Sequence, residues 1–88
     1  MTAPVVRLIG ARGCHLCESA QRTLEEARAE QPFELELVDI TGDVELERGY
    51  RERIPVVEIN GREEFVFFVH PTALRERLAR SATLPPRR

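Results

Sequence analysis

The 88-residue sequence has no tryptophan, one tyrosine, one methionine and only two cysteines. It has no run approaching the ~20 consecutive apolar residues that a membrane helix needs. It has no basic cluster outside Arg87-Arg88, and 15 acidic against 13 basic residues leave a net charge of −2, which argues against nucleic acid as a partner. Its start does not resemble a secretory signal, because Met1-Thr2-Ala3-Pro4 leads into a short apolar stretch interrupted by Arg7. A cytoplasmic protein, monomeric and away from membranes, is therefore expected. Two cysteines cannot build the multi-disulfide framework of a small secreted domain. Cys14 and Cys17 are also so close that a bridge between them would barely constrain the unfolded chain. Chemistry, rather than stabilisation, is the expected role of this pair.

The remaining composition, 42% hydrophobic and 32% charged, is that of a globule with one core. A chain of this length buries only ~60–65% of its unfolded surface, enough for a single domain and a single site. Residues 1–80 are expected to form that domain, and 81–88, with two prolines and no periodicity, a flexible tail.

Val5-Val6-Arg7-Leu8-Ile9 is short and β-branched, as a buried strand is, and Gly10-Ala11-Arg12-Gly13 reads as a turn. From Cys14 to Glu30 the period becomes helical, with Leu16, Ala20, Leu24 and Ala27 as the apolar stripe, until Gln31-Pro32 stops it. A second strand is expected over Phe33–Val38, running on into Asp39-Ile40. Asp43 reads as the N-cap of a short, weak helix containing Val44, Leu46 and Tyr50. Pro55 then opens the strand Val56-Val57-Glu58-Ile59, and Asn60-Gly61 marks a hairpin. The return strand is expected at Phe65-Val66-Phe67-Phe68. Its register stays open: a three-residue loop aligns Val57, Ile59, Phe65 and Phe67 on one face, whereas a two-residue turn splits them. Pro71 suits the first turn of a last helix, with Leu74 and Leu78 on its buried side. The order β-α-β-α-β-β-α implies an α/β fold, with a four-stranded mixed sheet flanked by helices.

Cys14-His15-Leu16-Cys17 falls where the first strand turns into the first helix. The N–H groups of a first helical turn lack intrahelical partners, and the macrodipole is positive there, so a sulfur at Cys14 is stabilised as the nucleophilic thiolate. Cys17, one turn deeper, lies within the ~4.4–6.8 Å Cα separation that a disulfide requires. Cys14 can then attack a substrate disulfide and Cys17 resolve the mixed disulfide. A protonated His15 would favour the thiolate, and Arg12 would add positive potential; His15 also reads as a solvent-facing residue of the first helical turn, and Arg12 as a solvated loop residue. The same motif is half of a zinc or iron site. No second cysteine pair follows and only His15 and His70 remain as ligands, so no metal is expected. Taken residue by residue, Ile54-Pro55 is read as trans, because cis accounts for only ~5–6% of such bonds in folded proteins.

A Cys-x-x-Cys between first strand and first helix, with an X-Pro before the third strand, resembles the thioredoxin superfamily. The element order, together with Val38-Asp39-Ile40 and Ile54-Pro55-Val56-Val57, is similar to small bacterial glutaredoxin-like proteins. The resemblance spans about Val5 to Arg80. It implies a thioredoxin-like fold of glutaredoxin type, a redox dithiol, a cis Pro55 facing Cys14, and an Ile54 backbone that pairs with substrate by strand addition. The implied partners are a protein disulfide and a cellular thiol reductant, with no resident cofactor. The chain departs from glutaredoxins in having Arg53-Ile54-Pro55 for Thr-Val-Pro, Phe68-Val69-His70-Pro71-Thr72 for Gly-Gly-x-Asp, and His15-Leu16 for Pro-Tyr. Arg12 and Arg53 remain to grip glutathione carboxylates, but no Asp opens the last helix to receive its ammonium group. Glutathione is therefore expected to bind weakly. The alternative function is a non-enzymatic thioredoxin-fold module that senses redox state, binds a metal or docks a partner.

Overall fold

The computed structural model describes residues 3–82. Its elements are β1 (Val5–Gly10), α1 (His15–Glu30), β2 (Glu34–Asp39), α2 (Val44–Tyr50), β3 (Val56–Ile59), β4 (Arg62–Val66) and α3 (Pro71–Ala82). The four strands form one sheet in the order β2-β1-β3-β4, with β1 parallel to β2 and the other two pairings antiparallel. No helix is long and apolar enough to cross a membrane among the described residues.

Period-2 alternation divides the core between the two faces of the sheet. Val6, Leu8, Val57 and Ile59 pack with Ala20, Leu24 and Ala27 of α1 and Leu74 and Leu78 of α3. Ile9 and Val56 turn the other way, toward Ile40, with Leu46 and Tyr50 of α2 against them. A mixed sheet flanked by three helices results, which is the thioredoxin-like α/β arrangement.

Five sequence expectations are corrected. Gly10 is the last residue of β1 rather than part of the turn, because it still pairs with Asp39 of β2. The buried stripe of α1 starts at Cys17, not Leu16, which is 53% exposed. Cys17, Ala20, Leu24 and Ala27 follow the i, i+3, i+7, i+10 spacing that keeps one helix face inward. Strand β2 begins at Glu34 and ends at Asp39, with Phe33 buried just before it. Strand β4 is Arg62–Val66, so Phe67 and Phe68 lie beyond it. Phe67 has φ 72°, which turns the chain out of the ladder. Finally, α3 continues through Ser81 and Ala82, two residues into the expected tail, while 83–88 lie outside the described residues.

The open register is resolved by a device absent from both alternatives. Ile59 pairs with Arg62 across a two-residue Asn60-Gly61 turn, and a bulge between Val57 and Glu58 brings Val57 back opposite Phe65. Asn60 and Gly61 have φ 52° and 85°, both positive as a hairpin turn of primed type requires. The Asn60 side chain also accepts from the Val5 N–H at 2.9 Å, tying the turn to the start of β1.

Candidate active site

The carboxyl end of β1 and the amino end of α1 meet at Cys14. Gly13, with φ 72°, supplies the left-handed residue that lets the chain turn from strand into helix. Cys14 is the N-cap, with extended backbone angles (φ −96°, ψ 108°). Its Sγ accepts the Cys17 N–H at 3.1 Å, and its carbonyl accepts the Glu18 N–H at 3.0 Å. A sulfur thus occupies the place where a cap usually puts a serine or aspartate oxygen. Cys14 and Cys17 are joined as a disulfide, with their Cα atoms 5.2 Å apart.

The pair is asymmetric. Cys14 is half-buried, whereas Cys17 is buried at 7% exposure and belongs to the inward face of α1. The residue at the helix end is therefore the more exposed of the two.

The other expected site residues are dispersed. His15 projects into solvent, its side chain 98% exposed and its Nδ1 3.9 Å from Glu18 Oε1. Arg12 is 85% exposed at its side chain and paired with Asp39 at 3.4 Å, and its N–H donates to Thr41 Oγ1. Thr41, through its hydroxyl and its N–H, holds the Asp39 carboxyl below the usual carboxylate range, and the Arg12 guanidinium adds to this. Arg53 forks onto both Glu63 oxygens at 3.1 and 3.2 Å, and its guanidinium lies 5.1 Å from the centre of the Tyr50 ring. Ile54 packs among Ile9, Ile40 and Val56. Pro55 is buried, follows a cis bond, and accepts the Phe67 N–H at 2.8 Å. His70 is an exposed loop residue whose ring meets Phe68 edge to face.

Two features were not legible beforehand. The bond from Phe67 to Pro55 brings the segment after β4 against the proline loop, and no local pattern signals a positive φ at a phenylalanine. The other is Gly10, where an added Cβ would meet Cys17 Sγ at 3.0 Å. Its only sequence sign is a glycine four residues before the first cysteine.

A family model described as a glutaredoxin-like domain matches residues 5–79. An uncharacterised protein of Mycobacterium tuberculosis is 33% identical over 86 residues, covering 92% of this chain and 89% of its own length. A structural-genomics target from X. campestris is 32% identical with a TM-score of 0.72, covering 85% of this chain and 96% of that one. The solution structure of a Nitrosomonas europaea protein is 29% identical with a TM-score of 0.75, covering 89% and 94%. A thioredoxin variant from Halobacterium salinarum, 17% identical with a TM-score of 0.69 over 97% of this chain and 80% of its own, shares the fold.

Proposed function

Because the chain belongs to the glutaredoxin-like domain family, we propose that it is a thiol–disulfide oxidoreductase in which Cys14 attacks and Cys17 resolves. The observation that carries this reading is the asymmetry of the pair: a half-buried Cys14 whose sulfur accepts the Cys17 N–H at 3.1 Å, and a buried Cys17. The same N–H, with the positive end of α1, stabilises the Cys14 thiolate. That thiolate attacks one sulfur of a substrate disulfide, forming a mixed disulfide and expelling the other substrate sulfur as a thiolate. Cys17, as thiolate, then attacks Cys14 Sγ. The Cys14–Cys17 disulfide forms and the second substrate thiolate leaves. A cellular thiol reductant returns the pair to the dithiol.

The substrate in this reading is a protein disulfide, presented in the cytoplasm to a monomer. Its backbone pairs beside Ile54, with Pro55 next to Cys14, as the family resemblance implies. Glutathione is a weak ligand here. The two guanidiniums available for its carboxylates, Arg12 and Arg53, are already paired with Asp39 and Glu63. No aspartate opens α3 for its ammonium group, and charges brought to a site without partners are costly.

The test is trapping. A Cys17→Ser protein should accumulate a mixed disulfide on Cys14, and a Cys14→Ser protein none. Alkylation of the reduced protein at neutral pH should label Cys14 first; faster labelling of Cys17 would reverse the roles. No mixed disulfide with any protein disulfide offered would leave a binding module in place of an enzyme. Saturable micromolar binding of glutathione to the Cys17→Ser protein would make it the substrate after all.

A further inference from the structure

On the reading that Cys17 resolves what Cys14 captures, we infer that Gly10 is a positioning residue for the resolving sulfur. It is glycine because any side chain there would claim the place of Cys17 Sγ. Nothing in its own backbone demands glycine. Gly13, Gly42 and Gly61 have positive φ, whereas Gly10 is an extended strand residue paired with Asp39. The demand comes from across the site. A Cβ on Gly10 would lie 3.0 Å from Cys17 Sγ and 3.1 Å from Cys17 Cβ, well inside the ~3.5–4.0 Å at which carbon atoms ordinarily touch. At Gly13, Gly42 and Gly49 the same added atom would meet nothing within 4 Å.

The Gly10 backbone has little room to retreat. Its carbonyl accepts the Ile40 N–H at 2.9 Å, and the preceding residue Ile9 is paired on both sides, with Val38 and Val56. Cys17 must therefore yield. Its Cβ is carried by α1, which is held to the core through Ala20, Leu24 and Ala27, so moving it disturbs packing. Its sulfur has an easier route, because rotation about Cα–Cβ swings it away. That route is open in the dithiol and closed in the disulfide, where Cys14 tethers the sulfur. A methyl group at position 10 thus opposes the oxidised pair more than the reduced one, and displaces Cys17 from the spot where it attacks Cys14. Cys14 is absent from the atoms an added Cβ would touch, so its own attack is spared.

The prediction is that Gly10→Ala separates two steps that otherwise run together. One equivalent of a nitrobenzoate aryl disulfide, whose released thiolate is coloured, reports both. Attack by Cys14 releases one aryl thiolate and forms the mixed disulfide; attack by Cys17 releases the other and closes the protein disulfide. In Gly10→Ala the first release should keep the parent rate. The second should slow about tenfold, the size of penalty that one extra methyl in a packed interior commonly carries. In a glutathione buffer the equilibrium should move toward the dithiol by a similar factor, and a merely structural substitution would not shift these two readouts while sparing the first release. A second release at the parent rate, or equal slowing of both, overturns the inference. Should Gly10→Ala not fold, Gly10→Ala/Cys17→Gly replaces it, because the sulfur met at 3.0 Å and the Cβ met at 3.1 Å are then both gone. That double variant should melt close to Cys17→Gly; if it fails to fold as Gly10→Ala does, Gly10 does not act through Cys17. The underlying roles are checked separately by Cys17→Ser, which should release one aryl thiolate only. Two would refute the assignment of Cys17 whatever Gly10 does.

Discussion

Phe65 and Phe67 are two residues apart, yet the fold uses them oppositely. Phe65 is 9% exposed, opposite Val57, with the Arg77 guanidinium 4.8 Å from its ring centre. Phe67 is half exposed with φ 72°, a conformation that costs a side-chain-bearing residue roughly 1–2 kcal/mol. Phe65→Ala should therefore destabilise by about 3–5 kcal/mol, the usual range for a buried phenylalanine. Phe67→Asn, which keeps the Phe67 N–H to Pro55 and tolerates positive φ, should cost less than about 1 kcal/mol or raise stability. Urea unfolding of both variants checks this, and a loss at Phe67 matching that at Phe65 would show that its ring packs as a core residue.

At the level of elements, α2 is held differently from its neighbours. It has no fully buried residue, and its seven residues are too few for intrinsic helicity to sustain. Its entry is fixed by Asp43, which accepts the Leu46 N–H at 3.0 Å, and by Glu47, which reaches back to the Gly42 N–H at 2.8 Å. Glu47 also pairs with Arg51 at 2.7 Å, and these bonds, Arg51 first, hold its carboxyl below the usual range. A carboxyl lowered in the folded state contributes stability above its unfolded pKa and loses it as pH falls through the lowered value. Helical chemical shifts over Val44–Tyr50 should therefore weaken below about pH 4 before those of α1, and Glu47→Gln should flatten that pH dependence. An unchanged profile in Glu47→Gln would assign the fraying to another group. The Asp43 cap was legible because capping is local chemistry, as were the Cys14–Cys17 motif, the Asn60-Gly61 turn and the Pro71 start. The bulge at Val57/Glu58, the exit of Phe67 from the ladder and the fit of Gly10 to Cys17 were not legible. Each depends on which strand or helix lies opposite, and residue spacing carries no record of that. Leu16 was misplaced for a related reason: both it and Cys17 complete a plausible stripe, and only the strand beneath α1 selects the cysteine.

For the molecule as a whole, the candidate site hangs from the interior of the sheet. Strand β1 is paired on both sides and covered on both faces, so the turn that carries Cys14 springs from the best-supported strand. The family match over 5–79 accordingly takes in nearly all of the described chain, since fold and site share one framework. The same topology leaves β2 at an edge, and an edge strand presents unpaired backbone groups to any other chain. Here that edge is guarded by charge. Glu34, Glu36 and Asp39 are exposed along β2, while Leu37 beside them is 56% exposed. Glu36 meets Arg7 at 3.3 Å, but both side chains are about half exposed, so the pair adds little stability. The more important service of Glu36 is to interrupt Leu35-Leu37-Val38, which would otherwise be a sticky, uncharged edge. Glu36→Val should leave the unfolding midpoint nearly unchanged and make concentrated samples scatter light as sheets join edge to edge. A clear solution at the same concentration would mean that Glu34 and Asp39 suffice as gatekeepers.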